Sequence, residues 1–151
     1  MVDGVDIFAT RGKDDTDIVI PNGLDVSDPA CMVRYVNQNL IDAGVSHISK
    51  LVWNDSESAS MNYEEESLDF IFLDGGHNYE TVMKDIKVWW PKLRGNGIMA
   101  GHDYNALCWI GVIAAVRESF KDEQVSLFPD NLIRSPKVWY VKKDDWLCPV
   151  Q

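Results

Sequence analysis

Two short polar segments of this chain contain residue types that can carry out chemistry. DGGHNYE (Asp74 to Glu80) follows one apolar run, and HDYN (His102 to Asn105) follows the next one along the chain. Carboxylates and imidazoles bind divalent cations, and an imidazole can also act as a general base. Gly75 and Gly76 allow a sharp turn and the close approach of a ligand. The first candidates for a site are therefore Asp74, His77, His102 and Asp103.

Acidic and polar residues also occur at the ends of two earlier apolar runs. Asp6 lies in GVDIF, and Asn54, Asp55 and Ser56 end LVWNDS. A carboxylate at the end of a buried strand can accept hydrogen bonds from a ribose diol or bind a hard cation. The alternative is that these acids only end strands and cap helices, as Asp and Asn commonly do. A histidine can likewise be a structural hydrogen-bonding residue, which is our interpretation of His47.

The apolar runs before these residues are typical of buried strands. They are short, rich in Val, Ile, Phe and Trp, and bounded by Gly, Asp or Asn. The predicted strands are Val5 to Phe8, Ile48 to Trp53, Leu68 to Leu73, Gly97 to Gly101 and Val138 to Val141.

Three segments between these strands have helical periodicity. They run from Asp28 to Gly44, from Asn78 to Pro91 and from Ile110 or Gly111 onward, with capping residues where helices need them. The alternation predicts an α/β fold: a three-layer, doubly wound, mostly parallel sheet with an antiparallel strand pair at its C-terminal end. Such sheets bind ligands at the carboxyl ends of their strands, where the candidate residues stand.

Composition and charge restrict the class of protein. The chain has 151 residues, of which 46% are hydrophobic, and we expect one globular domain over residues 1–151. Fourteen basic and 24 acidic residues give a formal charge of −10, which argues against nucleic acid as a partner because phosphate binding depends on Lys and Arg. Three cysteines without C-x-x-C spacing predict reduced thiols and a cytoplasmic protein, and no apolar run predicts a membrane span.

One long segment of the chain resembles a known family. SLDFIFLDGGHNYETVMKDIKVWWPKLRGNGIMAGHDY is similar to the region from the fourth to the fifth strand of class I S-adenosylmethionine-dependent methyltransferases, in particular their small-molecule O-methyltransferase-like group. GVIAAVRESF and VWYVKK continue the resemblance, while GVDIF and LVWNDS resemble the ends of the second and third strands. The resemblance implies a Rossmann-like methyltransferase fold over nearly the whole chain.

The resemblance also implies a site for S-adenosylmethionine. Asp6 would accept hydrogen bonds from the cofactor's ribose hydroxyls, and Asp55 with Ser56 would face its adenine. Asp74 belongs to the same predicted cofactor-binding set.

Metal-assisted chemistry is implied as well. Asp74 and Asp103 follow the strands after which related metal-dependent methyltransferases have magnesium ligands, so the resemblance implies a Mg²⁺ site here. A bound cation would lower the pKa of a substrate hydroxyl and orient it for methyl transfer, and His77 or His102 would take the proton.

One motif of the family has no counterpart in the printed sequence. This is the Gly-rich loop of ExGxxxGxS type, which follows the first strand and holds the methionine end of the cofactor. We therefore expect a shortened fold without that strand, loop and first helix. Removing a central strand leaves backbone groups without partners, which predicts a homodimer.

Three functions compete at this stage. The first is a methyltransferase of a small-molecule acceptor, with neither nucleic acid nor membrane as partner, and Trp109 is a candidate for lining its acceptor pocket. The second is a non-catalytic methyltransferase-fold module that binds or dimerises, for which exposed Trp146 would mark a partner surface. The third is a metal-dependent hydrolase. It is the weakest of the three, because such enzymes usually have more histidine ligands than this chain offers.

Overall fold

The computed structural model describes residues 1–6, 25, 27–105, 107–128 and 137–144 of the chain. It divides the chain into two compact units, Met1–Ala59 and Ser60–Gln151. The end of the first predicted strand, Ile7 and Phe8, lies outside the described residues, as does Trp146. The single domain over residues 1–151 stays a prediction.

The first unit contains a parallel strand pair. Strand β1 (Val2–Asp6) pairs with strand β2 (Ser49–Trp53) so that Asp6 stands opposite Trp53. The short helix α2 (Ser56–Ser60) follows β2. The carboxyl ends of both strands therefore lie side by side, as the sequence predicts for Asp6 and the residues after Trp53.

Helix α1 (Pro29–Asp42) connects these two strands and has the predicted capping residues at both ends. The Asp28 carboxylate accepts a hydrogen bond from the backbone N–H of Ala30 at 2.9 Å, and this satisfies a donor that the first turn leaves free. Gly44 lies just beyond the helix with φ of 70°, a left-handed conformation that glycine adopts without a Cβ clash.

The second unit contains a mixed sheet in the order β3-β4-β6-β5. Its strands are β3 (Leu68–Leu73), β4 (Leu93–Tyr104), β5 (Ser126–Leu127) and β6 (Lys137–Lys142). Strands β3 and β4 are parallel, whereas β6 is antiparallel to both β4 and β5. The predicted parallel pairing and antiparallel C-terminal strands are both present.

Two helices complete this unit and pack against each other: α3 (Tyr79–Trp89) and α4 (Ile110–Ser119). A 3-10 turn at Trp90–Lys92 contains Pro91 and ends α3 where the sequence predicts. The buried side chains of the helices and the sheet form the core of the unit: Ile71, Val82, Ile86, Trp89, Trp90, Leu93, Met99, Val112, Val116, Phe120, Trp139 and Val141. Three of the six tryptophans, Trp89, Trp90 and Trp139, therefore belong to this core.

Strand β4 is longer than its predicted span of 97–101. It begins immediately after the 3-10 turn, and Leu93 already pairs with Leu68 of β3. Within β4, Asn96 has φ of 63°. Pairing resumes after this irregularity, since Phe70 stands opposite Ile98.

Gly101 provides a test of this packing. A Cβ at Gly101 would lie 2.7–2.8 Å from three atoms of the Trp139 indole, and Trp139 is buried and cannot move aside. We expect Gly101→Ala to lower the free energy of unfolding by about 1–3 kcal/mol, measured by urea denaturation. The control is Gly4→Ala, where a Cβ meets nothing within 4 Å, and a loss as large as that of Gly101→Ala would contradict the argument.

No helix among the described residues is both long and apolar enough to cross a bilayer.

Candidate functional site

The two polar segments meet at one edge of the sheet in the second unit. Strands β3 and β4 are parallel neighbours, and Leu73, the last residue of β3, stands opposite Gly101. Asp74 follows Leu73 directly and His102 follows Gly101. The register therefore places DGGHNYE and HDYN side by side, as expected for neighbouring parallel strands.

Asp103 is the centre of this group of side chains. Its Oδ2 lies 2.7 Å from His77 Nε2 and 3.4 Å from His102 Nδ1. His102 Nδ1 is also 3.8 Å from Asp74 Oδ1. Because a carboxylate only accepts, His77 Nε2 carries the proton and donates it. In the neutral imidazole, His77 Nδ1 then keeps a free lone pair.

The backbone of Asp103 has an uncommon conformation. Its φ is 60°, in the left-handed region, and the residue is only 8% exposed. Among residues with a Cβ, Asp and Asn adopt this region most readily. Non-glycine residues held there cost of order 1–3 kcal/mol and cluster at functional sites. The strain places a buried carboxylate between the two histidines.

Three of these residues can together hold a cation. Asp74, His102 and Asp103 each offer one ligand atom, and these atoms lie within 4.8 Å of one another. Two carboxylates and an imidazole form a mixed donor set. Imidazole suits the transition metals, while Mg²⁺ prefers oxygen ligands and retained waters. The residues therefore fit a divalent cation, and they fit Mn²⁺ better than Mg²⁺.

A small cleft between these side chains has a cavity volume of about 20 Å³. Because about 10–15 Å³ is enough to hold one water molecule, the cleft has room for a bound ion or a water molecule. His77 lines the cleft with the three candidate ligands, and so does Asp85 of α3, which is not among the residues predicted from the sequence. Asp85 lies one turn after Val82, at the edge of the apolar stripe of α3, and an acid in that position is the signal that could have identified it.

The start of α4 lies close to His77. The rings of His77 and Trp109 are 4.2 Å apart between centroids and inclined by 33°. A Cβ at Gly111 would lie 2.8 Å from both the His77 carbonyl oxygen and the Tyr79 nitrogen. The Tyr79 hydroxyl is hydrogen-bonded to the Glu118 carboxylate of α4, which raises the pKa of Tyr79. Helix α4 and the segment containing His77 therefore support each other.

Gly111→Ala tests this close approach. Alanine favours a helix over glycine by about 1 kcal/mol, but its methyl group would contact backbone that cannot rotate away. We expect a net loss of about 1–3 kcal/mol in the free energy of unfolding, measured by urea denaturation. The control is Ala114→Gly, at an exposed position of the same helix. It measures the difference in helix propensity between alanine and glycine where no such contact is present. An unchanged or increased stability of Gly111→Ala would show that the contact does not limit packing.

The other predicted cofactor residues lie in the first unit, at the carboxyl ends of β1 and β2. The backbone N–H of Asn54 donates to the Asp6 carbonyl at 3.2 Å. Asp55 Oδ1 accepts a hydrogen bond from the Ser58 N–H at 2.9 Å, which caps α2. Asp55 therefore caps α2, and the cofactor roles of Asp6, Asp55 and Ser56 stay predictions. His47 is exposed in the turn before β2.

Comparison with known proteins identifies the family. A family profile described as a methyltransferase domain matches residues 9–104, more than half of the chain. The chain belongs to the class I S-adenosylmethionine-dependent methyltransferase domain family. Its fold is the α/β Rossmann-like methyltransferase fold, with a mixed sheet that includes antiparallel C-terminal strands.

Individual relatives are distant. An uncharacterized protein of Acanthamoeba polyphaga mimivirus is 23% identical over 110 residues, which are 67% of this chain and 50% of the viral protein. A SAM-dependent O-methyltransferase from Thermotoga maritima has a TM-score of 0.55 at 15% identity, with 74% of this chain and 46% of that one covered. An rRNA methylase from Streptococcus thermophilus has a TM-score of 0.57 at 16% identity, covering 78% and 69%. The chain thus spans about half the length of the viral and Thermotoga proteins, and these structural similarities show the fold.

Proposed function

We propose that this protein transfers a methyl group from S-adenosylmethionine to a hydroxyl group of a small molecule, with a divalent cation bound at the cleft. The observation that carries the proposal is the convergence of Asp74, His102 and Asp103, whose ligand atoms lie within 4.8 Å of one another, in a methyltransferase domain. Methyl transfer needs a deprotonated hydroxyl that is held in line with the donor, and this arrangement can supply both conditions.

His77 is the proposed proton acceptor. Its hydrogen bond to Asp103 at 2.7 Å fixes the tautomer and orients the ring, and the developing imidazolium is stabilised by the adjacent carboxylate. Contact with Trp109 holds the ring from another side. His102 Nδ1 lies 3.8 Å from Asp74 Oδ1, and His102 is one of the three candidate ligands of the cation site. We therefore assign the base to His77 and a ligand role to His102, although both are candidates from the sequence.

The cation would lower the pKa of the acceptor hydroxyl and hold its oxygen in position. Asp74, His102 and Asp103 would bind it, and the donor set favours Mn²⁺ or a similar ion over the Mg²⁺ that the resemblance implies. The buried Asp103 lies within reach of both histidines, so it would link the cation to the base.

Cofactor binding is proposed from the family and from the strand ends. Asp6 would bind the ribose, and Asp55 and Ser56 would contact the adenine, in keeping with their place after β1 and β2. The cofactor role of Asp74 rests on the resemblance.

The test is a methyl-transfer assay with S-adenosylmethionine that carries a labelled methyl group. The acceptors are a panel of hydroxylated small molecules and a total RNA sample, since the rRNA methylase shares the fold. We expect transfer to at least one small molecule, loss of transfer with EDTA, and recovery that is stronger with Mn²⁺ than with Mg²⁺. Labelling of RNA only, or transfer that EDTA leaves unchanged, would contradict the proposal. No labelling of any acceptor would favour the non-catalytic module.

The predicted homodimer is part of the same proposal. A sheet edge without a partner exposes backbone groups that a second copy can cover. Light scattering at micromolar concentration measures the mass directly, and a species of 17.1 kDa would refute the dimer.

A further inference from the structure

Asp85 is a carboxylate in an unusual place on helix α3. It lies one turn after Val82 and directly before Ile86, and both of these side chains are buried. Asp85 itself is half-buried. Moving a carboxylate out of water costs free energy unless hydrogen-bond donors take the place of the water. The Asp85 carboxylate therefore needs donors close to it.

The Asp85 side chain extends from α3 to the turn that follows β3. A Cβ placed on Gly75 would lie 3.5 Å from Asp85 Oδ2, so the carboxylate lies beside the backbone of this turn. Asp85 also lines the small cleft together with Asp74, Gly76 and His77. One side chain of α3 thus reaches the segment that joins two of the site residues.

Few donors in the cleft are free for this carboxylate. The described residues that line the cleft include no Lys or Arg, and His77 Nε2 donates to Asp103 at 2.7 Å. The backbone N–H groups of the Gly75–Gly76 turn are the donors that lie beside Asp85 Oδ2. Hydrogen bonds from N–H groups to a carboxylate are stronger than those between neutral groups.

The turn needs such a bond because it contains two adjacent glycines. Glycine loses more conformational freedom than any other residue when its backbone is fixed. The two glycines lie between Asp74, a candidate cation ligand, and His77, the proposed base. Freedom in the glycines would move both side chains relative to Asp103. A bond to the rigid helix α3 removes this freedom before any ligand binds.

We infer that Asp85 is a positioning residue whose carboxylate accepts hydrogen bonds from the Gly75–Gly76 turn and so holds Asp74 and His77 beside Asp103. Asp85 is outside the set of candidate cation ligands, and it acts on the site through the turn. The inference rests on the proposed function for the cation and the base. The orientation of His77, however, can be measured without a cation and without methyl transfer.

The first measurement is the nitrogen NMR spectrum of the three histidines, recorded without a cation at about pH 8.5, where imidazoles are neutral. The bond to Asp103 keeps the proton of His77 on Nε2 in the unchanged protein. In Asp85→Ala the turn is released, both tautomers become populated, and the two nitrogen shifts of His77 should move toward each other. His47, exposed in the turn before β2, is the internal control and should keep its shifts.

The second measurement is calorimetric titration with Mn²⁺. Asp85→Ala should bind Mn²⁺ about tenfold more weakly, since losing a residue that orients a ligand costs about 10- to 100-fold in affinity. Asp85→Asn keeps an acceptor oxygen in a side chain of the same size, and its affinity should stay within about threefold of that of the unchanged protein.

The matched control is Glu80→Ala, which removes a carboxylate from an exposed position of the same helix and should leave the Mn²⁺ affinity unchanged. Alanine favours a helix more than aspartate does, so Asp85→Ala should fold, and circular dichroism checks this for each variant.

The outcomes separate this inference from the proposed function. If Asp85→Ala changes neither the His77 shifts nor the Mn²⁺ affinity, the inference is overturned even if methyl transfer occurs. An equal loss of affinity in Asp85→Asn and Asp85→Ala would also overturn it, because the charge of Asp85 would then act rather than a hydrogen bond to the turn. Altered His77 shifts in Asp85→Ala, with no Mn²⁺ binding by the unchanged protein, would support the positioning role and contradict the proposed cation site.

Discussion

Asp103→Asn is expected to lower methyl transfer by about 100-fold or more and to weaken cation binding by about 10- to 100-fold. The variant removes a charge from the candidate cation site and the carboxylate that orients His77 at 2.7 Å. Asparagine keeps the size of the side chain and also tolerates φ near 60°, so the backbone should keep its conformation. The measurements are labelled methyl transfer and calorimetric titration with Mn²⁺.

The matched control for this variant is Asp69→Asn. Asp69 is an exposed residue of β3 whose carboxylate pairs with Arg94, so the same charge is removed away from the cleft. Exposed ion pairs contribute about 0–1 kcal/mol, and both measurements should match those of the unchanged protein. If Asp103→Asn binds Mn²⁺ and transfers methyl groups as well as Asp69→Asn does, the cluster is not the site.

His77→Gln is expected to reduce kcat by about 100-fold or more, the usual contribution of a general base. Glutamine keeps a hydrogen bond to Asp103 through its amide N–H but cannot accept the proton of the substrate. Cation affinity should change little, because His77 is outside the set of candidate ligands. A lower kcat with unchanged cation affinity distinguishes His77 from Asp103, whose replacement should lower both methyl transfer and cation affinity.

The control is His47→Gln, since His47 is exposed in the turn before β2, and its kcat should be unchanged. His102→Gln provides the converse result. It should weaken Mn²⁺ binding by about tenfold or more, because His102 offers a ligand atom. A His77→Gln variant that retains kcat within about threefold would contradict the role of His77.

The longer elements of the fold could be predicted because several signals agree at each one. Helix α1 combines an N-cap Asp, a proline in the first turn and a terminal Gly44, and its observed bounds follow these residues. Strand β3 is an apolar run between polar residues, and its bounds match the prediction. The short elements α2 and β5, of five and two residues, are too brief to have a periodicity.

The site could be predicted in part, for a similar reason. Strand ends that are parallel neighbours must share an edge, so the sequence predicts one shared location for Asp74, His77, His102 and Asp103. The hydrogen bond between His77 and Asp103 depends instead on a left-handed backbone at Asp103, which hydrophobic periodicity does not report. Asp85 enters the cleft from the face of α3, and only tertiary packing brings that face to the strand ends.

Cofactor binding is the most direct test of the central claim that this methyltransferase domain works with S-adenosylmethionine. Calorimetric titration of the unchanged protein with S-adenosylhomocysteine measures it without any knowledge of the acceptor. We predict saturable binding with a Kd tighter than about 100 μM, or roughly −5.5 kcal/mol. Absence of saturable binding up to about 1 mM, where the binding free energy would be weaker than roughly −4 kcal/mol, would contradict the account.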